Sequence, residues 1–283
     1  MSVALLAKRD AFRSEAHALL NKGRAAEAAE RAALAYRLSC TIGVAQHDVL
    51  TDCFLLGKAH ASSGNDVEKA RQYLNEGVAI ALRGGAPDPF ANTSMLHIFG
   101  RMLHGVGDDD AASKVHVEFC RRLNVLYGEQ HIATSDGYGL AARFFLDVGQ
   151  YGAAMEYAGR SLVVANFYLG PRSPCSVRAQ TLLALVYRMT NRPVEALREL
   201  HYAEAASRFL WGESSLKMAE LNLDMGYLEH QLGHLQRALA HYETARDIRA
   251  RAPGVGPEHE LTSEVSFFYC FVPLHFMRIL LTI

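Results

Sequence analysis

The chain has little that would staple it, break it or charge it. Of its 283 residues only 8 are proline and 5 are cysteine. Cys40, Cys53, Cys120, Cys175 and Cys270 lie far apart with no CxxC pair, which argues against a zinc site or a disulfide framework and fits a reduced intracellular compartment. Neither sign of charge prevails. The formal net charge of -1 gives too weak a field for a dedicated nucleic-acid binder, so no nucleic acid is expected as partner. The opening stretch, MSVALLAKRD, lacks a basic segment followed by a long apolar run, so no secretory leader is expected. Phosphate-loop, dinucleotide-loop, HExxH and GxSxG signatures are missing, and with them the usual marks of an enzyme or a cofactor. What the chain does have is apolar surface, since 50% of its residues are hydrophobic. It is expected to fold.

Much of that apolar surface is periodic. Ala28, Ala70, Ala112, Ala154, Ala196 and Ala238 recur every 42 residues. Five positions before each stand Gly23, Asn65, Gly107, Gly149, Asn191 and Gly233, residue types that accept the left-handed backbone at a helix end. A third ladder of small residues precedes the alanines by twelve positions: Ala16, Gly100, Ala142, Ala184 and Gly226, with Gly57 displaced by one. A fourth follows them by seven: Ala35, Gly77, Ser161, Ala203 and Ala245, with Phe119 as the exception. Small residues here let two helices approach closely. Between the ladders apolar residues recur at three and four, as in Leu235, Ala238, Leu239, Tyr242, Ala245 and Ile248. Each unit therefore reads as helix A, a tight Gly or Asn turn, helix B and a longer loop. Pro193 starts one helix B, where its missing N–H costs nothing.

Leu183-Ala184-Leu185-Val186-Tyr187, then Pro193-Val194-Glu195-Ala196 and Ala203, resemble a tetratricopeptide repeat, and the resemblance runs over about residues 5–250. With Gly128, Gly170 and Gly212 opening successive units, the 42-residue period is similar to the variety in kinesin light chains. The resemblance implies an all-α, right-handed superhelical solenoid over 1–251, of about six hairpins at about 1–40, 41–82, 83–125, 126–167, 168–209 and 210–251. Residues 252–283 are expected to hold an incomplete seventh repeat and a hydrophobic C-terminal segment.

It also implies a scaffold that binds other proteins, with helix A lining a concave groove. On that register Arg13, Lys58, Arg101, Arg143, Arg178, Arg188 and Tyr227 face the groove, with His17, His97, His104, Leu185 and His230 beside them. Basic and aromatic side chains outnumber acids, and arginine captures carboxylates bidentately, so an acidic segment of another protein is the expected ligand. Arg13 and His17 do not reproduce the carboxylate clamp of chaperone-binding repeats. Ile98, Leu140, Leu182 and Asp224 stand where kinesin light chains set asparagines. His230 and His234 would share a face of one continuous helix, but the Gly233 turn separates them. Asp108-Asp109-Asp110 lacks the rest of a calcium loop and reads as an acidic helix N-terminus.

Leu126-Tyr127-Gly128 with Thr134-Ser135-Asp136-Gly137-Tyr138, and Asn21-Lys22-Gly23, resemble the repeat region of axonemal proteins that join a MYND zinc finger to tetratricopeptide repeats; the finger is absent. That resemblance implies a structural part in a cytoskeletal or ciliary, dynein-associated assembly. A soluble cargo or chaperone adaptor, and a regulatory subunit of an enzyme, are the alternatives. The repeat breaks at the far end, where Phe268 stands in a small-residue position. Phe267 to Ile283 is strongly apolar but seventeen residues long and interrupted by Pro273, His275 and Arg278, against the roughly 20 a membrane helix needs. Phe267, Phe268, Phe271, Leu274 and Phe276 are expected to be buried by a partner or by folding back onto the stack, with a tail anchor and a truncated gene product as further readings.

Overall fold

The computed structural model describes residues 2–64, 66–83 and 89–252, which hold twelve α-helices and no strand. Asn65 of the turn ladder, Cys270 and the apolar end from Phe267 to Phe276 lie outside the described residues. The chain divides into two compact units, Met1–Gly128 and Glu129–Ile283. The first contains α1 (Ser2–Asn21), α2 (Ala25–Ile42), α3 (Gln46–Ser63), α4 (Val67–Leu82), α5 (Pro89–Gly105) and α6 (Asp109–Tyr127). The second contains α7 (Ile132–Asp147), α8 (Tyr151–Leu169), α9 (Pro174–Met189), α10 (Pro193–Trp211), α11 (Leu216–Gln231) and α12 (Leu235–Arg251). In each unit consecutive helices pair as antiparallel hairpins, and each hairpin packs on the next. The architecture is an all-α helical repeat.

The ladders have distinct physical roles. All six alanines of the first ladder are 0% exposed, so the 42-residue beat is a row of core contacts. The turn ladder supplies positive φ. Gly107 has φ 79°, and around it Gly107 N–H donates to His104 O and Asp108 N–H to Leu103 O, each at 2.9 Å. This six-to-one closure satisfies carbonyls that the ending helix leaves open. Asn191, at φ 56°, makes the same turn and is the one non-glycine with positive φ among the described residues. Helix starts are equally local. Ser173 and Ser215 accept from the backbone N–H groups of Ser176 and Met218, Asp108 accepts from that of Ala111 at 3.2 Å, and Pro174 and Pro193 occupy first positions.

The small-residue ladder of helix A is matched in volume by helix B. A β-carbon on Gly57 would lie 2.5 Å from Leu74, one on Gly100 2.5 Å from His116, and one on Gly226 2.7 Å from Tyr242. Where helix A carries Ala16 or Ala142, the same register of helix B carries Ala32 or Ala158. Ala184 with Leu200 is intermediate. Gly226→Ala should therefore lower stability by about 1–3 kcal/mol through overpacking against the fully buried Tyr242, although alanine in a helix interior would otherwise gain about 1 kcal/mol. Adding Tyr242→Leu rebuilds the Ala184–Leu200 pairing and should return most of the loss. Urea midpoints at unchanged slope measure both steps.

Candidate functional site

In the second unit, α7, α9, α10 and α11 line a cavity of about 520 Å³. Leu182 and Leu185 supply its accessible apolar wall, backed by the buried Leu200 and Leu228, and Arg143, Arg178, Arg188, Lys217 and Asp224 its charge. Three of the arginines expected in the groove are thus brought together. Each cation has a carboxylate partner: Arg143 pairs with Asp147 at 3.3 Å, Arg178 with Asp136 at 2.9 Å, Arg188 with Asp224 at 3.3 Å and Lys217 with Glu220 at 3.0 Å. Acids match cations one for one on this surface, so it alternates in sign instead of presenting a basic strip.

The Arg188–Asp224 pair also borders a second cavity of about 360 Å³, lined with Leu223, Tyr227, Gln231 and Tyr242. Arg188 sets its guanidinium over the Tyr227 ring at 5.4 Å, which holds the fork between stacking and ion pairing. The surrounding protein desolvates the Asp224 carboxyl and raises its pKa, outweighing Arg188 and Lys217, although 41% of its side chain remains exposed.

The first unit treats its candidates differently. Lys58 on α3 and Arg101 on α5 are exposed, as is His17 on α1. Arg13, only 14% exposed, is spent on the interior. Its Nε donates to Asp52 Oδ1 at 2.5 Å and its Nη2 to Asp52 Oδ2 at 2.9 Å, while Nη1 donates to Asp48 Oδ1 at 2.8 Å. Ser39 of α2 donates to Asp52 as well, at 2.5 Å. Burial alone would raise the Asp48 carboxyl, but the Arg13 hydrogen bond and the charges of Arg9 and Arg13 hold it below its ordinary value. The network joins α1, α2 and α3.

His97 is likewise drawn inward, its ring 5.3 Å from that of His116 and 5.5 Å from that of Phe119. Burial lowers His97 and takes His116, whose Nδ1 donates to Ala112 O at 2.9 Å, down to about 4. His104 pairs with Asp109 at 2.5 Å, and His234 pairs with Glu229 at 2.6 Å beyond the Gly233 turn. Among the described residues no group of three His, Cys, Asp or Glu side chains is placed to hold a metal ion. No described helix is long and apolar enough to cross a membrane.

Lys217, Glu220, Leu200 and Leu228 were not among the expected site residues, whereas Leu185 was. A signal for part of this was present: Asp136, Arg178 and Glu220 are 42 residues apart, so one register position alternates in sign through three successive repeats. Arg178 reaches Asp136 across one full repeat.

No protein-family model matches the chain, and no curated protein matches it significantly. Solved structures do. BtubC (BKLC) from P. vanneervenii superposes with a TM-score of 0.60 at 18% identity, covering 83% of this chain and 91% of that one. A Podosopora anserina kinesin light chain with nearly identical TPR-like repeats gives 0.59 at 18% identity, covering 72% and 97%. The apo form of RapI gives 0.62 at 14% identity, covering 95% and 72%. At such identities the likeness is one of fold, and the fold is that of tetratricopeptide-like repeats of the kinesin-light-chain kind.

Proposed function

We propose that the chain is a non-enzymatic scaffold that holds a segment of another protein against α7, α9 and α11. The observation that carries this reading is the 520 Å³ cavity, in which leucines lie among four accessible ion pairs. Exposed pairs of this kind contribute about 0–1 kcal/mol each, so a ligand bearing both signs exchanges partners with them at small cost while its apolar side chains cover Leu182 and Leu185. A purely acidic segment would displace Asp136, Asp147, Asp224 and Glu220 and leave them with nothing. The groove therefore suits a segment of mixed charge better than the acidic one expected from the register.

We assign the scaffold to a cytoskeletal or ciliary assembly, dynein-associated, because its fold is like that of a kinesin light chain and because the residues around Tyr127 and Tyr138 resemble axonemal repeats. One experiment tests both parts. In ciliated cells the tagged chain is expected to stay with detergent-extracted axonemes, and a variant carrying Arg143→Glu and Arg188→Glu to wash away. Retention that the charge reversal leaves unchanged removes the groove from the account. A chain that is diffuse, yet captures a soluble protein through the same arginines, keeps the groove and makes it an adaptor's.

A further inference from the structure

The last turns of α8 and α10 leave large apolar side chains uncovered. Phe167 is 73% exposed, Phe209 68%, Tyr168 52% and Trp211 44%. Single hydrophobic residues scattered over a surface need no explanation, but these are ordered. Phe167 and Phe209 share one register position, 42 residues apart, where three of the other four repeats carry the polar residues Thr41, Arg83 and Arg251 and the fourth carries the smaller Val125. The position tolerates polarity, and in these repeats it carries phenylalanine instead.

The loop after α8 ties the two helix ends into one surface. Arg172 reaches from that loop to set its guanidinium over the Phe209 ring at 5.2 Å, and Phe167 meets Tyr168 edge-on at 5.1 Å. Among the described residues no carboxylate lies within ion-pair distance of Arg172, whereas Arg178, Arg188 and Arg208 of the same unit each have one. An arginine held on an aromatic face keeps its fork open to a carboxylate. Tyr, Trp and Arg are also the side chains that dominate interface energetics.

We propose that this edge, formed by Phe167, Tyr168, Arg172, Phe209 and Trp211, is a docking surface for a short segment of another protein in which aromatic or leucine side chains adjoin a carboxylate. The apolar side chains of the segment cover the two phenylalanines, and its carboxylate takes Arg172. None of these residues lines the groove on α7, α9 and α11, and the inference stands independently of the groove reading.

Trp211 is the single tryptophan of the chain, so its emission reports on this edge. The full chain is titrated with a blocked hexapeptide of Asp, Phe and Leu, and with its counterpart in which Lys replaces Asp. The Asp peptide should shift Trp211 emission to the blue and protect it from acrylamide, and the Lys peptide should not. Arg172→Glu, an exposed loop change with no bearing on the core, should weaken the Asp peptide by about tenfold and admit the Lys peptide. The paired groove variant Arg143→Glu, Arg188→Glu should leave the titration unchanged. No shift with either peptide, or equal shifts with both, overturns the proposal. So does a free chain whose Trp211 is already protected, lost on dilution if a second copy covers the edge and kept at every concentration if the chain's own residues 253–283 do.

Discussion

Between pH 7.5 and pH 5 the native chain is expected to lose about 2 kcal/mol more stability than a His116→Leu variant. The cause is the imidazole enclosed between α5 and α6 opposite Gly100. His116 titrates at about 4 in the folded chain against an ordinary 6.5, because burial disfavours the cation and His97, Arg101 and His104 add repulsion, which outweighs the hydrogen bond to the Ala112 carbonyl. Well above pH 6.5 neither state holds the proton and the residue contributes no pH dependence. As the pH falls below 6.5 the unfolded chain takes up a proton that the folded chain refuses, so stability drains until about pH 4, to a total of about 3 kcal/mol. Leucine is the apt replacement because Leu74 and Leu200 fill the same register position in other repeats. His60 and His241, also lowered by burial, remain in both chains and cancel in the difference, whereas His97 packs against His116 and its change belongs to the same effect. Urea midpoints at the two pH values decide it, and parallel profiles would remove His116 as the source.

Arg13→Leu should cost about 3–5 kcal/mol, whereas Arg143→Leu, whose ion pair is exposed, should cost less than about 1 kcal/mol. The contrast follows from what each arginine leaves behind. Asp52 is 0% exposed and would keep Ser39 as its hydrogen-bond donor, and Asp48 would lose its closest guanidinium contact. A buried carboxylate without its cation is the expensive state, so Arg13→Leu combined with Asp52→Leu should recover much of the loss, and the double-mutant cycle should show strong coupling. If Arg13 served only a ligand, its removal would leave the unfolding midpoint in place and change binding alone.

The contrast also explains what could be read from the chain in advance. The repeat was legible because its markers are tied to backbone and core: an alanine where two helices touch, a glycine or asparagine where φ turns positive. Both requirements are local and recur with the period. Arg13 and Arg143 look alike on that register, and nothing in the period separates them. The carboxylates that claim Arg13, Asp48 and Asp52, lie 35 and 39 residues along, off the repeat beat. Asp136 and Arg178 lie on it and could have been found. His97 sat in the register of groove residues, but the glycine opposite His116 opened room for an imidazole pair in the interior. The exposed phenylalanines of α8 and α10 occupy a register position that Thr41, Arg83, Val125 and Arg251 fill elsewhere, so the period does not mark them.

The matched volumes of helices A and B have a consequence for how such a chain can change. Six hairpins of one length invite the view that they are interchangeable parts. They are not, because Gly226 belongs with Tyr242, Gly57 with Leu74 and Ala142 with Ala158. A helix A moved between hairpins of unlike pairing would meet either a void or a collision, so recombination between such repeats is tolerated when whole hairpins are exchanged and penalised when the crossover falls at the turn. Each hairpin is thus a unit of inheritance as well as of packing, and drift at one small-residue position can proceed only as fast as its partner follows.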